Sequence, residues 1–332
     1  MDIKKLLEER NIELRYVNKN DFSELKDKTI ITNEDNFTKN LLLNLGFKKF
    51  YTVREASVER ADEIKKYLKR EEIVGFGGGK AIDIAKKISF DLGTDLISIP
   101  TAPSHDGLIS RNSSLYFRGQ KKTIPTKYPK KLIIPVHLWK SSGDLKKAGI
   151  CDLIANLVSL QDISLAEKNG EKFSEFYKKL SFEAAERVLD SKDEKELSEA
   201  LIMSGIAMEE SSVYCSESEH EVEKLFEKKG FPYLHGQLSG TGALISAKVY
   251  SLYHNKLPKL RFDSGKLFEI VKSRMKKKRV FKFALDPLFD KKFKPKMLKE
   301  VGKIRPGRYN LWNVIDPKKI DWGFIVSEIL KD

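Results

Sequence analysis

With 332 residues, 40% of them hydrophobic, the chain is long enough for two cores and too apolar for a disordered protein. Its 62 basic against 48 acidic residues give a net charge of +14, which attracts anions; with no nucleic-acid-binding motif beside it, the excess reads as a solvated Lys/Glu-rich surface, and no nucleic-acid partner is expected. Cys151 and Cys215 alone exclude a disulfide framework, the charged start MDIKKLLEERN lacks a secretory core, and no apolar run approaches the roughly 18 residues of a membrane span, so a cytoplasmic protein is expected.

Residues 1 to 27 are charged and show no clear strand. From residue 28 to 136 short apolar runs alternate with helical patterns: TIITN, a helix around Phe37 to Leu45, KFYTV, a helix through Ala61 to Leu68, then a strand at Ile73, Val74 and Phe76. Ala81, Ile84, Ala85 and Ile88 fall on one face of the next helix, and Leu96 to Ile99 form another strand. This is the grammar of a parallel α/β sheet. After Asp144 the apolar spacing becomes helical, as at Leu153, Leu157 and Leu160, and strand signals largely disappear. An α/β domain over 1–138 followed by an all-α domain over 139–332 is expected, with the boundary near HLWKSSG.

Between the strand at Phe76 and the helix at Ala81 sit Gly77, Gly78 and Gly79. Glycines at a helix mouth let the backbone approach a pyrophosphate, which the free N–H groups and the positive dipole end stabilise. Lys80 stands where a Rossmann fingerprint needs its third glycine, and Ala81 where a Walker A loop needs Ser or Thr, so neither motif is present. A tight turn that binds nothing has the same local sequence. The next strand end carries TAPSHDG, and loops at consecutive strand ends of such a sheet converge on one crevice. Gly77, Gly78, Gly79, Lys80, Ala81, Thr101, Ala102, Pro103, Ser104 and Ser110 are therefore expected at a cofactor, and Asp106 at a substrate hydroxyl.

The helical half holds His220, His235 and His254, with Asp152 before them; an aspartate plus two histidines is a sensible open zinc set, because three N or O ligands leave a coordination position for substrate. Each also has an ordinary explanation: Asp152 as a helix cap, His220 as a surface residue between glutamates, His235 as a core residue.

The order GFGGGKAIDIAK, IPTAPSHDGLIS, GICDLIANLVSLQDISLAEK, SESEHEVEKLFE and YLHGQLSGTGA resembles the sn-glycerol-1-phosphate dehydrogenase family, within the dehydroquinate synthase-like group that also holds glycerol dehydrogenase and iron-type alcohol dehydrogenase. The likeness covers roughly residues 28 to 260, and IRPGRYNLWNVID resembles the family's tail. It implies an α/β dinucleotide-binding domain plus an α-helical domain, with Zn2+ on Asp152, His220 and His235, Asp152 also at the substrate, and NADPH or NADH as cofactor. The implied reaction is reduction of dihydroxyacetone phosphate to sn-glycerol 1-phosphate for archaeal membrane phospholipids; a glycerol dehydrogenase of the same fold is the alternative. A homo-oligomer is expected. His254 matches no family site. Arg54, in FYTVREAS, stands near the position that is acidic in strictly NAD-dependent sites and is expected to pair with a ribose 2′-phosphate. Lys224 departs from the family, which commonly has a second histidine there; one turn beyond His220, it is expected to meet the substrate phosphate.

Overall fold

The computed structural model describes residues 1–19, 21–305 and 307–331. They form two compact units, Met1–Lys146 with Lys192–Glu209, and Lys147–Ser191 with Glu210 onward. The first crossing lies a few residues beyond the expected 138/139 boundary. The first unit, however, takes back Lys192–Glu209, a return that a single boundary does not provide.

The first unit is built on a six-stranded parallel sheet of β1 (Glu13–Val17), β2 (Thr29–Asn33), β3 (Tyr51–Val53), β4 (Ile73–Gly77), β5 (Leu96–Pro100) and, after the antiparallel hairpin β6 (Asn112–Phe117) and β7 (Gln120–Pro125), β8 (Lys131–Pro135); its order is β1-β8-β5-β4-β2-β3. The α/β reading holds. Alternate residues serve opposite faces: Ile30, Val74 and Ile97 join one core, Ile31, Ile73 and Leu96 the other, so both faces are covered as a parallel sheet requires. The opening segment is more regular than its sequence suggests. It holds a helix, Ile3–Glu8, and the edge strand β1, whose Glu13 and Arg15 break up any apolar run because only one neighbour, β8, covers it.

Side chains start the helices between strands: Asp35 Oδ1 accepts the Thr38 N–H (2.8 Å) before Asn36–Asn44, and Ser57 Oγ accepts that of Arg60 (3.1 Å) before Val58–Lys65. From β2 the chain goes to β3 on one side and then crosses to β4 on the other. The carboxyl ends of β2 and β4 therefore flank the reversal of strand order, where sheets of this kind bind ligands.

Lys192–Glu209 belongs to this unit through identifiable bonds. Its helix Glu194–Ala207 receives Tyr16 at Ser198 (hydroxyls 2.9 Å apart) and Lys146 at Glu194 (2.7 Å), while Arg10 Nε donates to Glu209 (3.0 Å). A second fastening is buried. Lys86, on the helix Gly79–Leu92, is fully enclosed; its Nζ donates to the carbonyls of Gly107 (2.5 Å) and Asn112 (3.1 Å) and lies 3.4 Å from Asp83, whose other oxygen accepts the Ser114 N–H (3.1 Å). Burial pulls the Lys86 pKa down, and Asp83 opposes that pull.

In the second unit every described element is helical. Asp144–Lys168, which begins in the first unit, has a stretch with a mean hydropathy of 1.3, apolar enough by composition to cross a membrane, yet 94% of that stretch is buried here, as befits a core helix. His235–Leu252, rich in Gly, Ala and Ser, is buried nearly all round.

Lys86→Met keeps the stem but leaves the half-buried Asp83 carboxylate without its ammonium partner and the Gly107 and Asn112 carbonyls without their donor. Chemical denaturation should show a loss of about 3–5 kcal/mol, the range for breaking one side of a buried pair, with part recovered when Asp83→Asn is added. An unchanged midpoint would make the pair incidental.

Candidate functional site

The glycine turn is held by a residue 45 positions upstream. Asn33, at the end of β2, accepts the Gly78 N–H on its Oδ1 (2.6 Å), and a Cβ on Gly77, whose φ is +144°, would lie 2.3 Å from that oxygen. Gly78 caps the helix Gly79–Leu92 without any side-chain hydrogen bond, so the first-turn amides of Gly79 and Lys80 lie at an open positive helix end, while the Ala81 N–H donates to the Gly78 carbonyl (3.1 Å). A Cβ on Gly78 meets nothing nearer than 3.6 Å, which leaves space over the turn.

Thr101 donates its N–H to the Gly77 carbonyl (3.0 Å), which ties the TAPSHDG loop to the turn. Ala102, Pro103 and Ser104 follow in the loop. His105 lies over Gly79, where a Cβ would come within 2.4 Å of its Nε2; its Nδ1 accepts the Gly107 N–H (2.8 Å), which puts the proton on Nε2. Asp106 Oδ2 accepts from Ser204 Oγ (2.7 Å), so the helix Glu194–Ala207 fixes it. Ser110 faces inward: it is buried, and its hydroxyl accepts the Asn112 N–H (3.1 Å). Arg54 and Lys80 come together, Lys80 Nζ donating to the Arg54 carbonyl (3.2 Å), and with Asn33, Glu34, Asp35 and Lys39 they line a cleft of about 330 Å³.

In the second unit three helices bring Asp152, His220 and His235 together, with one donor atom of each within 4.8 Å of the others. The Asp152 carboxylate, 3% exposed, has Oδ1 3.5 Å from His220 Nε2 and 3.7 Å from His235 Nε2. Both rings are aimed from behind. His220 Nδ1 is 2.8 Å from Glu219 Oε1 and His235 Nδ1 is 3.0 Å from Glu223 Oε1, the carboxylate–imidazole arrangement that leaves each Nε2 a lone pair for a metal. Glu219 is itself fixed by the Ser159 hydroxyl (2.6 Å) and the Glu217 N–H (2.8 Å).

Packing sets these positions. A Cβ on Gly236 would fall 2.1 Å from the Ala148 carbonyl, and one on Gly242 2.0 Å from that of Glu219, so only glycine lets His235–Leu252 approach both partner helices. Asp162 accepts the Ser218 N–H (3.0 Å) and hydroxyl (2.6 Å), which places a carboxylate at the start of Ser218–Lys228 and fixes His220 two residues on. Lys224 is half-buried one turn further along this helix. His254 is exposed, with Nδ1 2.8 Å from the Ser251 carbonyl, and does not join the cluster.

Burial lowers the His220 pKa, but its contacts with Asp152 and Glu219 outweigh that and raise it to about 9; Glu223 and Asp152 likewise raise His235 against burial. Burial raises Glu219, yet its bonds to His220 and Ser159 bring it below its ordinary value. Without a metal the cluster therefore holds protons between buried carboxylates. One carboxylate oxygen and two Nε2 atoms, each ring backed by a glutamate, fit a zinc ion with an open coordination position.

Comparison with known proteins agrees with this architecture. The iron-containing alcohol dehydrogenase family matches residues 36–141. Proteins named glycerol-1-phosphate dehydrogenase [NAD(P)+] from Thermococcus sibiricus and Metallosphaera sedula are each 34% identical to this chain, over 222 and 230 residues, covering 62% and 64% of it. The chain is similar in sequence to these two glycerol-1-phosphate dehydrogenases. The matches span 63% and 65% of those relatives' own lengths. Glycerol dehydrogenase from Schizosaccharomyces pombe superposes with a TM-score of 0.66 at 18% identity, covering 97% of this chain and 90% of that one; the iron-containing alcohol dehydrogenase from Thermococcus thioreducens gives 0.63 at 17%, covering 96% and 97%. These two show the shared fold.

In the metal-free protein His220 binds its proton more tightly folded than unfolded. Its contribution to stability is complete below the unfolded pKa of about 6.5 and is lost as pH rises through about 9, on the order of 3 kcal/mol in total. Melting temperature without metal should therefore fall between pH 6.5 and 9.5. Added zinc should raise it more at the higher pH, where no proton has to be displaced. A zinc shift independent of pH would contradict this protonation of the cluster.

Proposed function

We propose that the chain is an NAD(P)H-dependent, zinc-dependent dehydrogenase that reduces dihydroxyacetone phosphate to sn-glycerol 1-phosphate, the backbone step of archaeal membrane phospholipids. The observation that carries the proposal is the buried Asp152 carboxylate facing two Nε2 atoms whose rings are aimed by Glu219 and Glu223.

Each unit supplies one part of the chemistry. The amides of Gly79 and Lys80 take the cofactor pyrophosphate, Ala81 closes the first turn beneath it, and Gly78 leaves room for it. Asn33, by holding the Gly78 N–H, keeps the turn in its binding shape. Arg54 and Lys80 offer cations to a ribose 2′-phosphate in the cleft beside β2 and β3. Thr101 to Ser104 flank the turn, and Asp106 orients a substrate hydroxyl. Asp152, His220 and His235 hold zinc, which supplies Lewis acidity toward a carbonyl oxygen while the nicotinamide provides the hydride. Lys224, one turn from His220, offers its ammonium to the substrate phosphate.

Steady-state reduction of dihydroxyacetone phosphate, followed by nicotinamide absorbance before and after chelation, tests this reading. Activity should vanish on chelation and return with zinc. Equal turnover of unphosphorylated dihydroxyacetone would point to a polyol dehydrogenase instead. Gly78→Val should fold, because a Cβ there meets nothing nearer than 3.6 Å, but should weaken the cofactor at least tenfold with zinc content unchanged. Arg54→Ala should weaken NADPH more than NADH; an equal loss for both would remove Arg54 from the 2′-phosphate.

A further inference from the structure

The TAPSHDG loop carries one ring that the chemistry above leaves without a role. His105 is half-buried, and two glycines make room for it. A Cβ on Gly79, in the first turn of Gly79–Leu92, would lie 2.4 Å from its Nε2, 3.0 Å from Cε1 and 3.4 Å from Cδ2; a Cβ on Gly107 would lie 2.6 Å from both Nδ1 and Cε1. Neither glycine has a positive φ, so it is the space taken by the imidazole, and not the backbone conformation, that excludes a side chain at both positions.

The ring is fixed through its own loop. His105 Nδ1 accepts the Gly107 N–H (2.8 Å), the enclosed Lys86 donates to the Gly107 carbonyl (2.5 Å), and Ser98 Oγ on β5 donates to the Leu108 carbonyl (2.9 Å). With Nδ1 an acceptor, the ring N–H is on Nε2, the ring atom nearest the Gly79 Cβ position. Asn33 thus meets the glycine turn at Gly77 and Gly78, and an imidazole donor meets it at Gly79.

We infer that His105 is a cofactor-binding residue whose Nε2–H donates to an oxygen of the dinucleotide diphosphate as that group settles on the Gly79 and Lys80 amides. The inference rests on the dinucleotide part of the proposed function and adds to it a side-chain donor held in place over the turn. A ring that only shaped the loop would need the acceptor Nδ1 and not the donor Nε2. That difference separates the two roles.

The test is calorimetric titration of ADP-ribose, which carries the diphosphate without the nicotinamide, into the full chain and two variants. In His105→Asn the side-chain oxygen stands in for Nδ1 toward the Gly107 N–H and nothing reaches the Nε2 position; His105→Gln restores an N–H there and gives up the loop bond. His105→Asn should weaken ADP-ribose about tenfold or more, the loss expected for a hydrogen bond to a charged group, with melting temperature and zinc content unchanged. His105→Gln should stay within about threefold of the parent. The reverse order, or ADP-ribose bound by His105→Asn within about threefold of the parent, would overturn the inference. If His105→Asn does not fold, His105→Gln decides: retained affinity upholds the donor, and a tenfold loss removes it. Should the parent bind ADP-ribose but reduce no triose, the substrate reading fails alone and the same comparison still decides on His105; a parent that binds no ADP-ribose would end the cofactor reading and the donor with it.

Discussion

A carboxylate buried to 3% exposure within 4 Å of two imidazole nitrogens is costly unless something shares its charge. Much of the second unit follows from that constraint at Asp152. Glu219 and Glu223 aim the rings, Ser159 and the Glu217 amide fix Glu219, and Asp162 fixes the start of the helix that bears His220. Gly236 and Gly242 then let the third helix approach closely enough for His235 to complete the set. So many buried polar groups cost stability that an apolar core would not, and a divalent ion held by Asp152, His220 and His235 would offset it.

The first unit solves a different problem, holding an open helix end beside two strand termini. Asn33 fixes the turn, Thr101 ties the following loop to it, and the enclosed Lys86 fastens that loop to the helix behind the turn. The surface this leaves at the helix end is mostly backbone amide, and the side chains around it keep it open and fixed in shape.

What could be read in the sequence was local. The helix after the glycines announced itself by apolar spacing at Ala81, Ile84, Ala85 and Ile88, and the turn by three consecutive glycines. The set Asp152, His220 and His235 could be singled out only with the help of a family likeness, because its members come from three helices far apart in the chain. Asn33 and Lys86 were invisible because their roles depend on partners brought close by folding; an asparagine ending a strand beside a glycine turn is the one signal that could have marked the first. Strand β1 was hidden by the polar residues an edge strand carries, and the return of Lys192–Glu209 because helical periodicity does not say where a helix docks. Glu219 and Glu223, charged residues in SESEHEVEK whose roles depend on partners brought close by folding, are fully buried.

The most direct test is a crystal of protein purified with zinc, measured by anomalous diffraction at the zinc edge. The account predicts a single strong peak within about 2.0–2.2 Å of Asp152, His220 Nε2 and His235 Nε2. A peak on the other side of His235, between Glu223 and Glu227, or no ordered zinc at the three ligands, would contradict it.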